Sequence, residues 1–409
     1  MKRTLMLLSV TLIFGLMLCN ADGEWTQRAD FAGLERYEAV GFSIGSKGYI
    51  GTGFDGEETR EDFWEYDPET DTWTQRADFG GGKRFQAVGF SIGNKGYIGT
   101  GHDGATRHDD FWEYDPDSNE WTQRADFGGP EINTAVGFSI GDRGYIVMGL
   151  DGTDNLVEFW EYDKSTDTWS QIADFEGEPR GGAVGFSIGD KGYVGTGHEW
   201  PDDFNDFWEY DPQTDSWTQR ADFEGAGRSQ AVGFSIGDKG FIGTGIESPT
   251  LHADLWEYDP ETDTWIQRPD LEGSGRAQAV GFSIGDKGYI GTGNIVGGIE
   301  NDFWEYYSDS VTPVSESQSG VPDKTKLLQN YPNPFNPATT IRFALPESAR
   351  VQLIVYDMLG RKVESLVDGH TEAGYHDVVF DAGHLSSGVY IYQIRAGDFV
   401  ETKRLMLIK

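Results

Sequence analysis

Cysteine is nearly absent from this chain: of 409 residues only Cys19 carries a thiol. That rules out a disulfide framework and any site built on paired thiolates. Basic residues are scarce too. There are 32 Lys and Arg against 69 Asp and Glu, a net charge of -37. So strong an acidic field repels nucleic-acid phosphates and anionic membrane surfaces. The deficit is uneven, because residues 326–409 hold nine Lys/Arg and nine Asp/Glu. Long apolar runs are missing after residue 18, so no later stretch is fit to cross a bilayer as a helix. Apolar content of 37%, with 14% aromatics, still suffices for a packed core.

The first residues have the pattern of an export signal. Lys2 and Arg3 precede the apolar stretch Leu5 to Leu18, and Cys19-Asn20-Ala21 places small residues around a cut after Ala21. Residues 1–21 are therefore expected to be removed, leaving a mature protein without a thiol. Acylation at Cys19 is the rival processing route, and the bulky Leu18 before it is unfavourable.

Tryptophan falls on a grid. Trp25, Trp73, Trp121, Trp169, Trp217 and Trp265 are 48 residues apart, and so are Trp64, Trp112, Trp160, Trp208, Trp256 and Trp304. A period of this size marks a supersecondary unit that buries its apolar face only by stacking on its neighbours. Each unit reads as four short strands. In the second copy these are Ala87–Ile92, Tyr97–Gly101, Asp110–Tyr114 and Trp121–Arg124, separated by Gly-Asn-Lys-Gly, a variable stretch and an Asp-Pro turn. Four-stranded units around an axis make a β-propeller. The array opens with a lone fourth strand, Glu24 to Phe31, and its last copy stops after a third strand at Phe303–Tyr306. The first strand should complete the last unit, giving six blades and no open edge.

These residues resemble kelch repeats, which pair a tyrosine on the third strand with a tryptophan on the fourth. Tyr66 and Trp73, Tyr114 and Trp121, Tyr162 and Trp169, Tyr210 and Trp217, and Tyr258 and Trp265 fit. The family's double glycine is altered to Gly51-Thr52-Gly53 and its equivalents, and to Val147-Met148-Gly149 in the third copy. The expected fold is all-β: a six-bladed kelch-type propeller over 22–307.

Strand parity places the second-to-third-strand loops and the fourth-to-first-strand connections on one face. The former, at 54–61, 102–109, 150–157, 198–205, 246–253 and 294–301, differ from copy to copy, whereas the turns of the opposite face repeat. Divergence in one set of loops fits either a working face or solvent-exposed drift. The same face should carry Arg36, Arg84, Arg180, Arg228 and Arg276, one repeat position at which the third copy has Ile132. Resemblance to kelch substrate adaptors implies arginines near the channel mouth that bind acidic segments, so an acidic glycan or peptide is the expected partner. The competing reading pairs each arginine with an acid or carbonyl of the neighbouring blade. His102 and His198, equivalent and two blades apart, are minor contact candidates.

Catalytic residues and cofactors are not expected. The copper chemistry of galactose-oxidase-type kelch propellers needs a cysteine that the mature chain lacks. Kelch-type sialate epimerases keep a sugar-modifying enzyme open as the alternative, without a residue set that singles it out. Asp55-Gly56, Asp103-Gly104 and Asp151-Gly152 read as turns rather than calcium ligands, and no metal site is assigned.

Residues 308–325 form a Ser/Pro-rich linker. From 326 the pattern becomes short strands around glycine turns, expected to form a small immunoglobulin-like sandwich. Asn330-Tyr331-Pro332-Asn333-Pro334-Phe335-Asn336-Pro337, Leu359-Gly360-Arg361, Ser387-Gly388-Val389-Tyr390 and the closing Lys403–Lys409 resemble the C-terminal sorting domain of type IX secretion. That resemblance implies passage across the outer membrane of a Bacteroidota-type bacterium, with the type IX machinery as partner. His370, His376 and His384 are pattern residues of this segment. The sequence thus points to a secreted or surface-displayed, monomeric binding protein.

Overall fold

Short runs of Val, Ile, Phe, Tyr and Trp, each ended by Gly or Asp, leave only strands among the regular elements of the described residues. The structure is a computed structural model and describes residues 23–308, 325–327, 330, 335, 337–358, 360–397 and 399–407. The expected export signal with its cut after Ala21, and most of the expected linker 308–325, lie outside the described residues. The chain divides into two compact units, 1–311 and 312–409.

The first unit holds six four-stranded antiparallel sheets, the blades. Blade 1 is Val40–Ile44, Lys47–Gly51, Phe63–Asp67 and Thr72–Gln75, from axis to rim. Blades 2 to 5 repeat this order. Blade 6 combines Val280–Ile284, Lys287–Gly291 and Phe303–Tyr307 with Glu24–Gln27 from the opposite end of the array. Trp25 lies opposite Tyr306 and Gln27 opposite Trp304 in this closing pair. Each innermost strand lies beside the next, and Val280–Ile284 lies beside Val40–Ile44, completing the circle.

Packing between blades explains the composition of the inner strands. Phe63 of blade 1 meets Tyr114 and Trp121 of blade 2, with ring centroids 4.9 and 5.0 Å away. Across the closure, Phe303 of blade 6 meets Tyr66 and Trp73 of blade 1 at the same separations. Gly48 is required at such a seam, because a Cβ there would lie 2.5 Å from the Phe282 ring of blade 6. The rim tryptophans also bond backward across the seam. Trp73 Nε1 donates to the Ala29 carbonyl at 3.0 Å, and Trp121 Nε1 to that of Ala77 at 3.1 Å.

The second unit is a two-sheet sandwich. One sheet holds Lys326–Leu327, Ala338–Leu345 and Gly374–Asp381, the other Lys362–Thr371, Ala349–Asp357, Gly388–Ala396 and Phe399–Leu407. Alternate residues Ile341, Phe343, Leu345, Val351, Leu353, Val355, Tyr392 and Ile394 fill its core. His376 stacks on Phe343 and is thereby part of this packing.

Candidate functional site

The axis of the propeller is a narrow channel of about 160 Å³, lined by one Ala-Val-Gly triplet from each blade, Ala39-Val40-Gly41 in blade 1. The residue just before each triplet has a positive φ: Glu38, Gln86, Thr134, Gly182, Gln230 and Gln278, between 54 and 62°. This left-handed turn swings each N–H sideways onto the carbonyl of its neighbour. Glu38 N donates to Gln278 O, Gln86 to Glu38, Thr134 to Gln86, Gly182 to Thr134, Gln230 to Gly182 and Gln278 to Gln230, over 2.7–3.3 Å. The result is a closed ring of six backbone hydrogen bonds at the channel mouth. Five of the six residues adopt a conformation that costs a non-glycine residue about 1–2 kcal/mol, offset by the bond each one makes across a seam.

Glu38 is the one carboxylate of this collar. Its Oε1 accepts hydrogen bonds from Gln86 Nε2 at 2.6 Å and Gln278 Nε2 at 2.5 Å. Burial raises its pKa, and the two amide donors only partly oppose that shift. Gln86 in turn accepts from Asn133 Nδ2.

Around the collar the blades differ. The residue preceding the collar position is Tyr37, Phe85, Asn133, Gly181, Ser229 and Ala277 in blades 1 to 6. Tyr37, Phe54, Phe85 and His102 form a continuous, half-buried arc of rings across blades 1 and 2, with successive centroids 5.6, 6.0 and 5.4 Å apart. The arc has no counterpart on the opposite side, where the matching inner positions are Gly181, Ser229 and Ala277. The loops divide in the same way. Asp55, Asp103 and Asp151 each close a tight turn by accepting two backbone N–H groups on Oδ1. Arg60 adds to the bonds on Asp55, and against the opposing effect of burial its carboxyl is held down at about 2. In blades 4 to 6 the loops are two-stranded hairpins, whose equivalent tip residues include the exposed Trp200 (84%) and Val296 (85%).

The arginines occupy a different environment from the one expected of a contact ring. Arg36, Arg84, Arg180, Arg228 and Arg276 are fully buried. Each guanidinium forks onto an aspartate of its own blade, namely Asp62, Asp110, Asp206, Asp254 and Asp302. Arg36 reaches Asp62 at 2.7 and 2.8 Å and the Thr52 carbonyl at 2.8 Å. It also lies 4.9 Å from the centre of the Phe31 ring. Their carboxylate partners also accept Nε1 of the third-strand tryptophans, as in Trp64 onto Asp62 at 2.7 Å. Burial pushes the carboxyls of Asp62, Asp254 and Asp302 up, but the arginine bonds prevail and hold them below the ordinary aspartate range. No guanidinium face is left for a ligand. Blade 3 shows the same pocket without the ion pair: Ile132 and Met148 are buried there, and Glu158 keeps only the Trp160 bond, at 3.1 Å. The break in period at Ile132 is therefore a change of core packing.

His102 faces the loop surface as the last ring of the arc, and its Nδ1 accepts the Gly104 N–H at 2.8 Å. Burial, followed by the nearby Arg107 charge, lowers its pKa. His198 opens the blade 4 hairpin, opposite Asp203. The structure does not bring the two histidines together. Among the described residues, no group of three or more His, Cys, Asp and Glu converges as a metal site. Nor is any helix there long and apolar enough to cross a membrane.

The collar and the arc are not legible in the sequence. Positive φ at Glu, Gln and Thr leaves no compositional trace, and the arc residues stand 17 or 31 positions apart. The arginine pairing did leave a signal. An aspartate follows each arginine by 26 residues, and in the third copy both change together, to Ile132 and Glu158.

Comparison with known proteins supports the two-part reading. Residues 100–128 match the Kelch motif, and residues 329–409 match the secretion system C-terminal sorting domain. No curated protein matches the chain. Among the solved structures it is similar to, one titled "Structure of YjhT" shares 18% identity with a TM-score of 0.59, covering 67% of this chain and 95% of that one. At that identity the likeness shows the fold alone. The chain is thus a kelch-type β-propeller followed by a type IX sorting domain. It is a secreted or cell-surface protein of a Bacteroidota-type bacterium.

Proposed function

We propose that this protein is an extracellular binding module that takes its ligand at the channel mouth, on the face formed by the variable loops. The observation that carries this reading is the asymmetry of the mouth. A frame that repeats every 48 residues holds six different inner side chains, from Tyr37 and Phe85 to Gly181 and Ala277. Packing does not demand these differences, because the backbone there is the same in every blade. Binding sites arise where a rigid scaffold carries individual side chains.

The partner's charge follows from the buried arginines. With five guanidinium groups committed to aspartates and the face rich in Asp and Glu, an anionic glycan or peptide meets repulsion, and a neutral or cationic ligand is favoured. Catalysis is the weaker reading. Glu38 is the one collar carboxylate, and its hydrogen bonds among the described residues come from two amides rather than from an acid or base. The test is binding of the full chain to a mixed glycan and peptide array, repeated with Gln278→Ala. Loss of the array signal in the variant supports the mouth as the site; an unchanged signal refutes it.

A further inference from the structure

We infer that the arc and the collar together form a subsite for a neutral pyranose of an extracellular glycan. The inference rests on the proposed binding role of the mouth and specifies the chemistry of its ligand. A pyranose has one face of C–H bonds and a rim of hydroxyls. The C–H face settles on the negative face of an aromatic ring, and the hydroxyls need fixed donors and acceptors.

Both halves of that requirement are present. Tyr37, Phe54, Phe85 and His102 supply half-buried rings in one unbroken run. The side chains of Glu38, Gln86 and Gln278 are already linked to one another, so they meet a ligand without first losing rotamer freedom. Each amide N–H₂ bound to Glu38 has a second N–H in its plane, and the Gln278 Oε1 is a further acceptor in the same group. Opposite the arc, the matching positions carry only the small residues Gly181, Gly182, Ser229 and Ala277. The exposed Trp200 and Val296 at the hairpin tips stand farther out, on the small-residue side of the mouth. An anionic sugar fits poorly, because the collar carries one carboxylate, Glu38, and no cationic side chain.

The chain itself provides conservative test variants. Serine occupies the Phe85 position natively in blade 5, as Ser229, so Phe85→Ser removes the ring without asking the backbone for a new conformation. The probes are neutral gluco-, manno- and xylo-oligosaccharides, uronic-acid oligosaccharides and a peptide library, presented to the full chain, to Phe85→Ser and to Gln278→Ala, each with its melting temperature measured. The expected result is binding of a neutral oligosaccharide, weakened at least tenfold in both variants, with folding intact. If Phe85→Ser melts early, Phe85→Leu removes the ring while keeping bulk, and the same tenfold loss is expected. Preference for uronic acids, or no binding of neutral sugars, overturns the inference. Peptide binding that both variants abolish would overturn it while leaving the mouth as the site. Neutral-sugar binding untouched by either variant would overturn both.

Discussion

The indole Nε1 of Trp25 donates to the carbonyl of Pro269 at 2.9 Å, the one seam where the accepting residue has no N–H of its own. At the other five seams the accepting residue is alanine, and its N–H donates to a turn Asp or Asn, as Ala125 does to Asp167 at 3.0 Å. The acid is missing at the sixth seam because Gly23 stands at its repeat position. Donor and acceptor have been lost together where the ring is closed by the far end of the array. Pro269→Ala should cost less than about 1 kcal/mol, chiefly by loosening the unfolded chain. Ala125→Pro removes one of the two hydrogen bonds on Asp167 Oδ1, leaving that from the Tyr162 hydroxyl, and should cost about 1–3 kcal/mol. Denaturant midpoints of the two variants check the difference.

The arginine pocket predicts an internal rescue. Arg84→Ile alone leaves Asp110 without its counter-ion and should cost about 3–5 kcal/mol. The triple change Arg84→Ile, Thr100→Met and Asp110→Glu copies blade 3 into blade 2 and should recover most of that loss. Chemical denaturation of the single and triple variants measures it. A triple variant no more stable than the single one would show that blade 3 tolerates its set for reasons outside this pocket.

A rim tryptophan should matter through its seam. Trp121 packs against Phe63 and Phe79 and bonds to Ala77, so Trp121→Ala should cost about 3–5 kcal/mol. A variant that melts with the parent in a thermal scan would contradict the stacked-blade account.

Two carboxylate environments give opposite pH dependences. Glu38 has a raised pKa, so the fold binds its proton more tightly than the unfolded chain does. Its ionisation therefore lowers stability as the pH rises from the unfolded value, about 4.3, through the folded one. Glu38→Gln should raise the melting temperature at neutral pH and make no difference in acid. Asp62, Asp254 and Asp302 have lowered pKa values, so their stabilisation is present above about pH 3.9 and is lost as the pH falls through their folded values. Melting temperatures of the parent and Glu38→Gln between pH 3 and 8 test both signs.

Much of this was legible because architecture repeats. The tryptophan spacing gave the blades, and the orphan strand at Trp25 gave the closure, since aromatic and β-branched runs with glycine turns leave little choice of element. The Asp-Gly dipeptides at 55, 103 and 151 read as turns and bond as turns. The arginines allowed two readings, a contact ring and an internal pair; the pair is what forms, but with an aspartate 26 residues on in the same blade rather than with the neighbouring blade. The collar stayed hidden because strained backbone at Glu38 or Gln86 looks, in sequence, like any polar residue before a strand.

Hydrogen exchange of the full chain, with and without an array-selected ligand, tests the central claim that one face of the propeller works. The mouth segments 36–39, 84–87 and 276–279 should gain protection, while the turns 45–48, 93–96 and 189–192 of the opposite face should not change. Protection confined to those turns would contradict the account.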